Sequence, residues 1–160
     1  MVYLGAFAVI IAAFMVWREY VGYLEGELYW CREMLSALRD LREKMKCYLT
    51  SPSDWAIGYY SEGLLECGFL KRLSSKEDIL CAYRSSRSDM CISDKADEIL
   101  TACFSRLGEG YLDTELESLE LAIGKLGEEE ARATSESLRR RKVAGAFLGA
   151  CASGIVIMVI

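Results

Sequence analysis

The sequence has 160 residues, with 19 Lys and Arg against 24 Asp and Glu and a formal net charge of −5. This length suits one domain of ordinary size, and the acidic balance argues against a nucleic-acid partner, which requires a basic face. The chain contains no histidine, the commonest general base and zinc ligand. Hydrophobic residues make up 52% of the chain, which is high for a soluble protein.

The apolar residues collect in two uncharged runs, one at each end of the sequence. Every Lys, Arg, Asp and Glu lies between Arg18 and Lys142. At about 1.5 Å per helical residue, the run at 143–160 reaches about 27 Å, close to the hydrocarbon thickness of a bilayer, and the run at 1–17 is slightly shorter. We therefore expect a transmembrane helix at each run, with a cytoplasmic domain at 18–142 between them.

A cleaved secretory signal is the alternative for the N-terminal run. Such a signal begins with basic residues and ends with small residues at its cleavage site. No Lys or Arg precedes Arg18, and the run ends in the bulky residues Met15, Val16 and Trp17. These features favour a retained membrane anchor.

Basic residues beside the apolar runs predict the orientation of the chain. Arg139, Arg140, Arg141 and Lys142 directly precede the second run, and Arg18 follows the first. By the positive-inside rule, the middle domain is expected in the cytoplasm at the cell membrane, with both termini outside. The same basic cluster also complements the dipole at a helix C-terminus.

A long amphipathic helix is predicted directly after the N-terminal run. Its apolar residues recur at steps of mostly three and four through Val21, Leu24, Leu28, Cys31, Leu35, Leu38, Met45 and Leu49, with Leu41 covering the break at Arg42. This stripe is typical of a helix that packs on partner helices along its whole length. No helix breaker beyond the single Gly22 separates this helix from the N-terminal run, so one continuous rod ending near Thr50 is expected.

Serines followed by acidic residues mark the starts of shorter helices. Ser51 precedes Pro52, the only proline, and Asp54 lies in the first turn, which is typical of an N-cap. Similar starts follow the serine pair at 74–75 and Ser93. The predicted helices lie at about 52–72, with a break near 61–63, at 75–87 and at 94–107. No segment shows the alternating pattern of a strand, so no sheet is expected.

The last helix is predicted to begin after the turn at 108–110. Its apolar stripe consists of Leu112, Leu116, Leu119, Ile123 and Leu126. Gly124 and Gly127 each cost about 1 kcal/mol relative to Ala in a helix, and they predict a kink or a close helix crossing. The fold class is therefore all-α, an antiparallel bundle of about six helices flanked by N- and C-terminal transmembrane helices.

The sequence predicts no catalytic, metal-binding or cofactor-binding residues, and we expect that the protein is not an enzyme. The seven cysteines are odd in number, widely spaced and without a CxxC pair. In a cytoplasmic domain they are expected to be reduced thiols that act as small apolar residues. A membrane thiol oxidoreductase would require paired reactive cysteines instead.

Acidic side chains form the candidate partner-binding site. The residues concerned are Asp113, Glu117, Glu128, Glu129 and Glu130. One interpretation is a solvated helix face, and the other is a docking surface for a basic partner. Metal binding by the glutamate run is disfavoured because three consecutive helical residues do not share a face.

Small residues at helical spacing predict close packing between helices in the membrane. They are Gly145, Gly149 and Ser153 in the second run and Ala8 and Ala12 in the first. Such residues let helices approach closely in lipid. Pairing of the two runs within one chain and formation of a homo-oligomer both explain the pattern.

With these features in place, the sequence resembles the stage III sporulation protein AB family of spore-forming bacteria. The resemblance rests on an N-terminal apolar run, a long amphipathic helix and the short motifs Tyr48-x-x-Ser51-Pro52, Leu107-Gly108, Leu121-Ala122, Leu126 and Glu129-Glu130-Ala131. The sequence departs from the family pattern at Gly124 and Gly127 and in its many cysteines.

The resemblance implies a function that composition alone does not. It implies a subunit on the mother-cell side of the channel complex joining mother cell and forespore, with a bundle similar to the platform component of type II secretion machines. Its expected partners are a secretion-type ATPase, stage III sporulation protein AA, and other membrane subunits of the complex. The chain would be a non-catalytic adaptor that docks the ATPase to the membrane. The alternative is a membrane-anchored sensor or signalling bundle.

Overall fold

The computed structural model describes the backbone of residues 2–108 and 110–159. It describes side-chain surroundings for residues 11, 14–108, 110–140 and 142–143. Within these residues the chain is helical and contains no strand, which confirms the all-α prediction. The predicted helix-packing residues all lie outside the set with described side chains: Ala8, Ala12, Gly145, Gly149 and Ser153.

Seven α-helices and one short 3₁₀ turn make up the described backbone. In chain order they are α1 (Val2–Tyr48), α2 (Pro52–Gly58), α3 (Glu62–Glu66), α4 (Phe69–Ser74), α5 (Ile79–Ser86), the 3₁₀ turn (Arg87–Asp89), α6 (Asp94–Phe104) and α7 (Leu112–Val159). The chain divides into two compact units. One, here called the bundle, is Gly26–Glu130, and the other combines Met1–Glu25 with Ala131–Ile160.

Two ion pairs show that α1 and α7 lie antiparallel within the bundle. Arg32 Nε lies 2.7 Å from Glu130 Oε1, and Arg42 Nη2 lies 3.1 Å from Glu120 Oε1. Ten residues forward along α1 therefore correspond to ten residues backward along α7. This register confirms the antiparallel arrangement expected from the two apolar stripes.

The bundle core forms where these stripes meet the short helices. Fully buried side chains include Met34, Leu38, Leu41, Leu64, Leu70, Leu73, Tyr83, Leu100, Leu119 and Leu126. Burying a side chain of this size contributes about 1.5–3 kcal/mol, so the stripe residues hold the long helices on the core. Arg42 interrupts the apolar stripe of α1, and the neighbouring Leu41 is buried in its place, as expected. Leu49 lies beyond the end of α1 and is exposed.

The predicted N-caps at Ser51 and Ser93 are confirmed. The Ser51 hydroxyl accepts the backbone N–H of Asp54 at 3.1 Å, and the Ser93 hydroxyl accepts that of Ala96 at 3.3 Å. Each satisfies a donor that the first helical turn leaves without an intrahelical partner. These two serines therefore fix the starts of α2 and α6.

The predicted start at the 74–75 serines is wrong. Both hydroxyls donate to the Lys71 carbonyl, at 2.9 Å each, and so close the end of α4. The next helix begins only at Ile79, because the Asp78 carboxylate accepts the N–H groups of Leu80 and Cys81. A carboxylate that accepts two backbone donors caps a helix better than a hydroxyl that is already engaged.

The segment predicted to be helical at 52–72, with one break, consists of three helices. The expected break near 61–63 is present, and Ser61 caps α3 while its hydroxyl donates to Glu33 Oε2 of α1 at 2.5 Å. A second break occurs at Gly68, whose φ of 80° starts α4 from a left-handed conformation. Glycine adopts this conformation without the Cβ strain that other residues meet.

A polar clamp fixes the connection between α5 and α6. Arg87 donates to Asp97 Oδ1 and to the carbonyls of Met90 and Ile92, at 2.7–2.8 Å. The hydroxyl of Tyr83 donates to the same Asp97 oxygen at 2.5 Å, and burial, followed by this hydrogen bond, raises the pKa of Tyr83. These side-chain hydrogen bonds, rather than a regular helix, fix the position of α6 relative to α5.

The close helix crossing predicted at the α7 glycines is wrong. The helix continues through both residues, and a Cβ at Gly124 or Gly127 would meet no neighbouring atom within 4 Å. The glycines therefore lower helix stability without permitting a contact.

No helix within the described residues is both long and apolar enough to cross a membrane.

We predict that Gly127→Ala stabilises the bundle. Alanine restricts the unfolded chain and fits the helix, so the free energy of unfolding should rise by about 0.5–1 kcal/mol in urea denaturation. Gly108→Ala is the matched control, since a Cβ there also meets open space but φ is 92°. That change should lower the free energy by about 1 kcal/mol. Equal effects at both glycines would contradict the prediction.

Candidate functional site

The predicted acidic run at 128–130 divides into two inward carboxylates and one outward carboxylate. Glu129 is 8% exposed and pairs with Lys95 of α6. Glu130 pairs with Arg32 of α1, whereas Glu128 is exposed. Consecutive helical residues differ by about 100° in direction, which is why the run cannot present a single face. Glu129 and Glu130 thus fasten α7 to its neighbours.

The remaining predicted acids share one exposed face of α7. Asp113, Glu117, Leu121, Gly124 and Glu128 follow steps of four, four, three and four, and all five are exposed. We call this line the acidic ridge. It extends for about 22 Å along the helix. The structure therefore brings Asp113, Glu117 and Glu128 onto one surface and keeps Glu129 and Glu130 out of it.

The charges of the acidic ridge are not neutralised by the bundle. Among the described residues, no ion pair involves Asp113, Glu117 or Glu128. Leu121, 54% exposed, adds an apolar side chain at the middle of the line. An exposed apolar residue between unpaired charges is consistent with a docking surface, although a solvated face has the same charges.

Other carboxylates of α7 have structural roles that the sequence did not indicate. Glu115 is buried and accepts the backbone N–H of Gly108 at 2.8 Å, which closes the turn before α7. Lys95 of α6 contacts Glu129 across a separation of 34 residues, and Glu120 pairs with Arg42 of α1. Such contacts depend on the tertiary register, for which a single sequence carries no local signal.

The basic residues that predict orientation lie in the second unit. Arg139, Arg140 and Lys142 are exposed, and the Arg141 side chain lies outside the described residues. The guanidinium of Arg140 lies 5.3 Å from the centre of the Tyr20 ring, within the range of a cation–π contact. These contacts do not test the predicted orientation, in which the middle domain is cytoplasmic and both termini lie outside.

The cysteines differ in exposure and none of the six described forms a disulfide. Cys31, Cys67 and Cys103 are buried, and burial is the main reason why the pKa of Cys31 and of Cys103 rises to about 11. Thiols with raised pKa values stay protonated at neutral pH and are poor nucleophiles. Cys47 and Cys81 are exposed, which differs from the expectation that all cysteines act as core residues.

The described residues contain no group of three His, Cys, Asp or Glu side chains arranged to hold a metal ion. The bundle presents an exposed acidic surface, the acidic ridge, on a helical frame. Its class is therefore an all-helical bundle with an open charged face.

Comparison with known proteins gives one structural likeness. No family model and no curated protein matches this sequence. A solved structure of stage III sporulation protein AB is similar to this chain, with a TM-score of 0.57 and 16% sequence identity. The match covers 71% of this chain and 97% of that chain. The chain therefore has a fold like that of stage III sporulation protein AB, which confirms the resemblance at the level of the fold.

We predict that Glu129 and Glu128 differ in their effect on stability. Glu129→Ala removes the partner of Lys95 and truncates a side chain that is 8% exposed; because Lys95 itself is more than half exposed, the free energy of unfolding should fall by only about 1 kcal/mol. Glu128→Ala is the adjacent control and should change it by less than about 0.5 kcal/mol. Urea denaturation followed by circular dichroism measures both. A stability loss at Glu128 equal to that at Glu129 would refute the assignment of inward and outward acids.

Proposed function

We propose that this chain is a non-catalytic membrane platform of a sporulation channel complex and that it docks a secretion-type ATPase to the membrane. The observation that carries the proposal is the fold, since the likeness extends over 97% of the solved stage III sporulation protein AB chain. The protein acts by binding, and the chemistry belongs to the ATPase.

Anchoring in the membrane is the first part of the proposal. The Arg32–Glu130 ion pair joins the region where α1 enters the bundle to the residue where α7 leaves it. The first and last residues of the bundle therefore lie at the same end of it. Two anchors that leave a domain at one end suit a domain held at a single membrane surface. The basic residues at 139–142 favour the cytoplasmic surface by the positive-inside rule.

Docking through the acidic ridge is the second part. Asp113, Glu117 and Glu128 are unpaired and exposed, so their charges are available to a basic partner. Complementary charges raise the association rate and fix the orientation of a complex. The ridge lies on a long helix within a packed bundle, which keeps the carboxylates at fixed spacing. The ATPase, stage III sporulation protein AA, would present the basic surface.

We predict that reversing two ridge charges weakens ATPase binding. Glu117→Lys together with Glu128→Lys should raise the dissociation constant at least tenfold, on the order of 1.4 kcal/mol, because attraction becomes repulsion. Glu66→Lys with Glu98→Lys is the matched control, since both residues are exposed acids outside the ridge and the net charge changes equally.

Binding is measured by titrating the purified ATPase against the full chain in detergent, at low and at high salt. The ridge variant should lose the salt-sensitive part of the affinity, and the control variant should bind like wild type. Unchanged affinity of the ridge variant at both salt concentrations would remove the ridge from the mechanism. If the wild-type chain does not bind the ATPase, the ATPase is not its partner and the proposed function is wrong.

A further inference from the structure

A charged groove runs between α1 and α7 on the side of the bundle next to the acidic ridge. It has a volume of about 520 Å³. Its lining consists of Arg39, Arg42, Glu43, Lys46 and Cys47 from α1 and Glu120 and Ile123 from α7. A volume of this size accommodates several side chains of a partner helix.

The basic side chains of this groove are incompletely paired. Arg39 and Lys46 are exposed and make no ion pair with any described residue. Arg42 reaches Glu120 through Nη2, but its Nε atom is buried and has no hydrogen-bond partner. A buried donor without an acceptor is uncommon in a native structure and is satisfied when an acceptor arrives. The two carboxylates of the groove, Glu43 and Glu120, therefore leave Arg39, Lys46 and the Nε atom of Arg42 without an acceptor among the described residues.

The exposed acids of α7 have the spacing that this groove requires. Arg39, Arg42 and Lys46 follow steps of three and four forward along α1. Glu120, Glu117 and Asp113 follow steps of three and four backward along α7. Because the two helices are antiparallel, the same spacing runs in the same direction along the bundle. The Arg42–Glu120 pair fixes the register: Lys46 is level with Leu116, within one helical turn of Glu117 and Asp113, and Arg39 is level with Ile123, within one turn of Glu120.

We propose that the groove receives α7 of a second copy of this chain, which forms a two-fold symmetric dimer. With the symmetry axis along the helices, α1 of each copy faces α7 of the other, and the antiparallel register within a chain is repeated between chains. Lys46 of one copy then faces Glu117 and Asp113 of the second. A two-fold interface contains this pairing of a basic with an acidic series twice, once on each side of the axis.

A second copy fits the groove better than a lipid or nucleic-acid phosphate does. Glu43 and Glu120 line the groove and repel a multiply charged anion, whereas a helix places individual carboxylates between them. Ile123 and Cys47 add apolar surface, which a protein partner buries. Both copies of α1 also point in the same direction, as two chains anchored in one membrane require.

This dimer is independent of the proposed function because it involves the chain alone. Asp113 and Glu117 belong to both the acidic ridge and the dimer interface, whereas Glu128 lies about three turns beyond Glu117 along α7, outside the paired series. Lys46→Glu should therefore affect the dimer and Glu128→Lys the ATPase, so failure of one proposal is distinguishable from failure of the other.

Charge exchange tests the dimer directly. The full chain is purified in detergent and its self-association is measured by sedimentation. Arg39→Glu with Lys46→Glu should raise the dimer dissociation constant at least tenfold, since like charges then face each other. Adding Asp113→Lys and Glu117→Lys to the same chain exchanges the signs of the facing charges. The dimer dissociation constant should then return to within about threefold of the wild-type value. A monomeric wild type, or a dimer unaffected by the first pair of changes, would overturn the proposal.

Thiol crosslinking gives an independent measurement. Cys47 lines the groove, so the two Cys47 thiols of a dimer lie at the same level on either side of its axis. A short bismaleimide should crosslink wild type, and Cys47→Ser should abolish the crosslinked band. Cys81→Ser is the matched control because Cys81 is exposed outside the groove. A band that depends on Cys81, or one that survives Cys47→Ser undiminished, would contradict this interface.

Discussion

The antiparallel pairing of α1 and α7 is the constraint on which the rest of the bundle depends. Burial of leucines stabilises this pairing. Two ion pairs ten residues apart along each helix, Arg32–Glu130 and Arg42–Glu120, form at the same antiparallel register. Neither pair is fully buried, so their contribution is modest and they act mainly to exclude other registers. The short helices between them complete the core, held by serine and aspartate caps and by the Arg87 clamp.

Once this register is fixed, the helical period decides which acids of α7 are structural and which are exposed. Glu115, Glu129 and Glu130 turn toward the bundle and satisfy a backbone donor or a basic side chain. The acids one or two residues away point to solvent. Helix α7 therefore serves both as a core element and as a charged surface. The same register places the charged groove between α1 and α7 beside the acidic ridge.

The sequence predicted the elements that depend on local signals. The apolar stripes on α1 (apart from Leu49) and α7 and the N-caps at Ser51 and Ser93 are confirmed, as is the absence of strands within the described residues. It failed where two local signals compete, as at the 74–75 serines, which end a helix because a better cap lies at Asp78. The inward roles of Glu129 and Glu130 depend on Lys95 and Arg32, and contacts so distant along the chain need the tertiary structure. The transmembrane helices remain predictions.

The central claim is that the bundle lies on the cytoplasmic side of a membrane that holds both apolar runs. Labelling of the exposed thiols Cys47 and Cys81 with a membrane-impermeant maleimide tests it most directly. In intact protoplasts these two thiols should stay unlabelled, and permeabilisation should make them react. Labelling of either thiol before permeabilisation would place the bundle outside the cell and contradict the account.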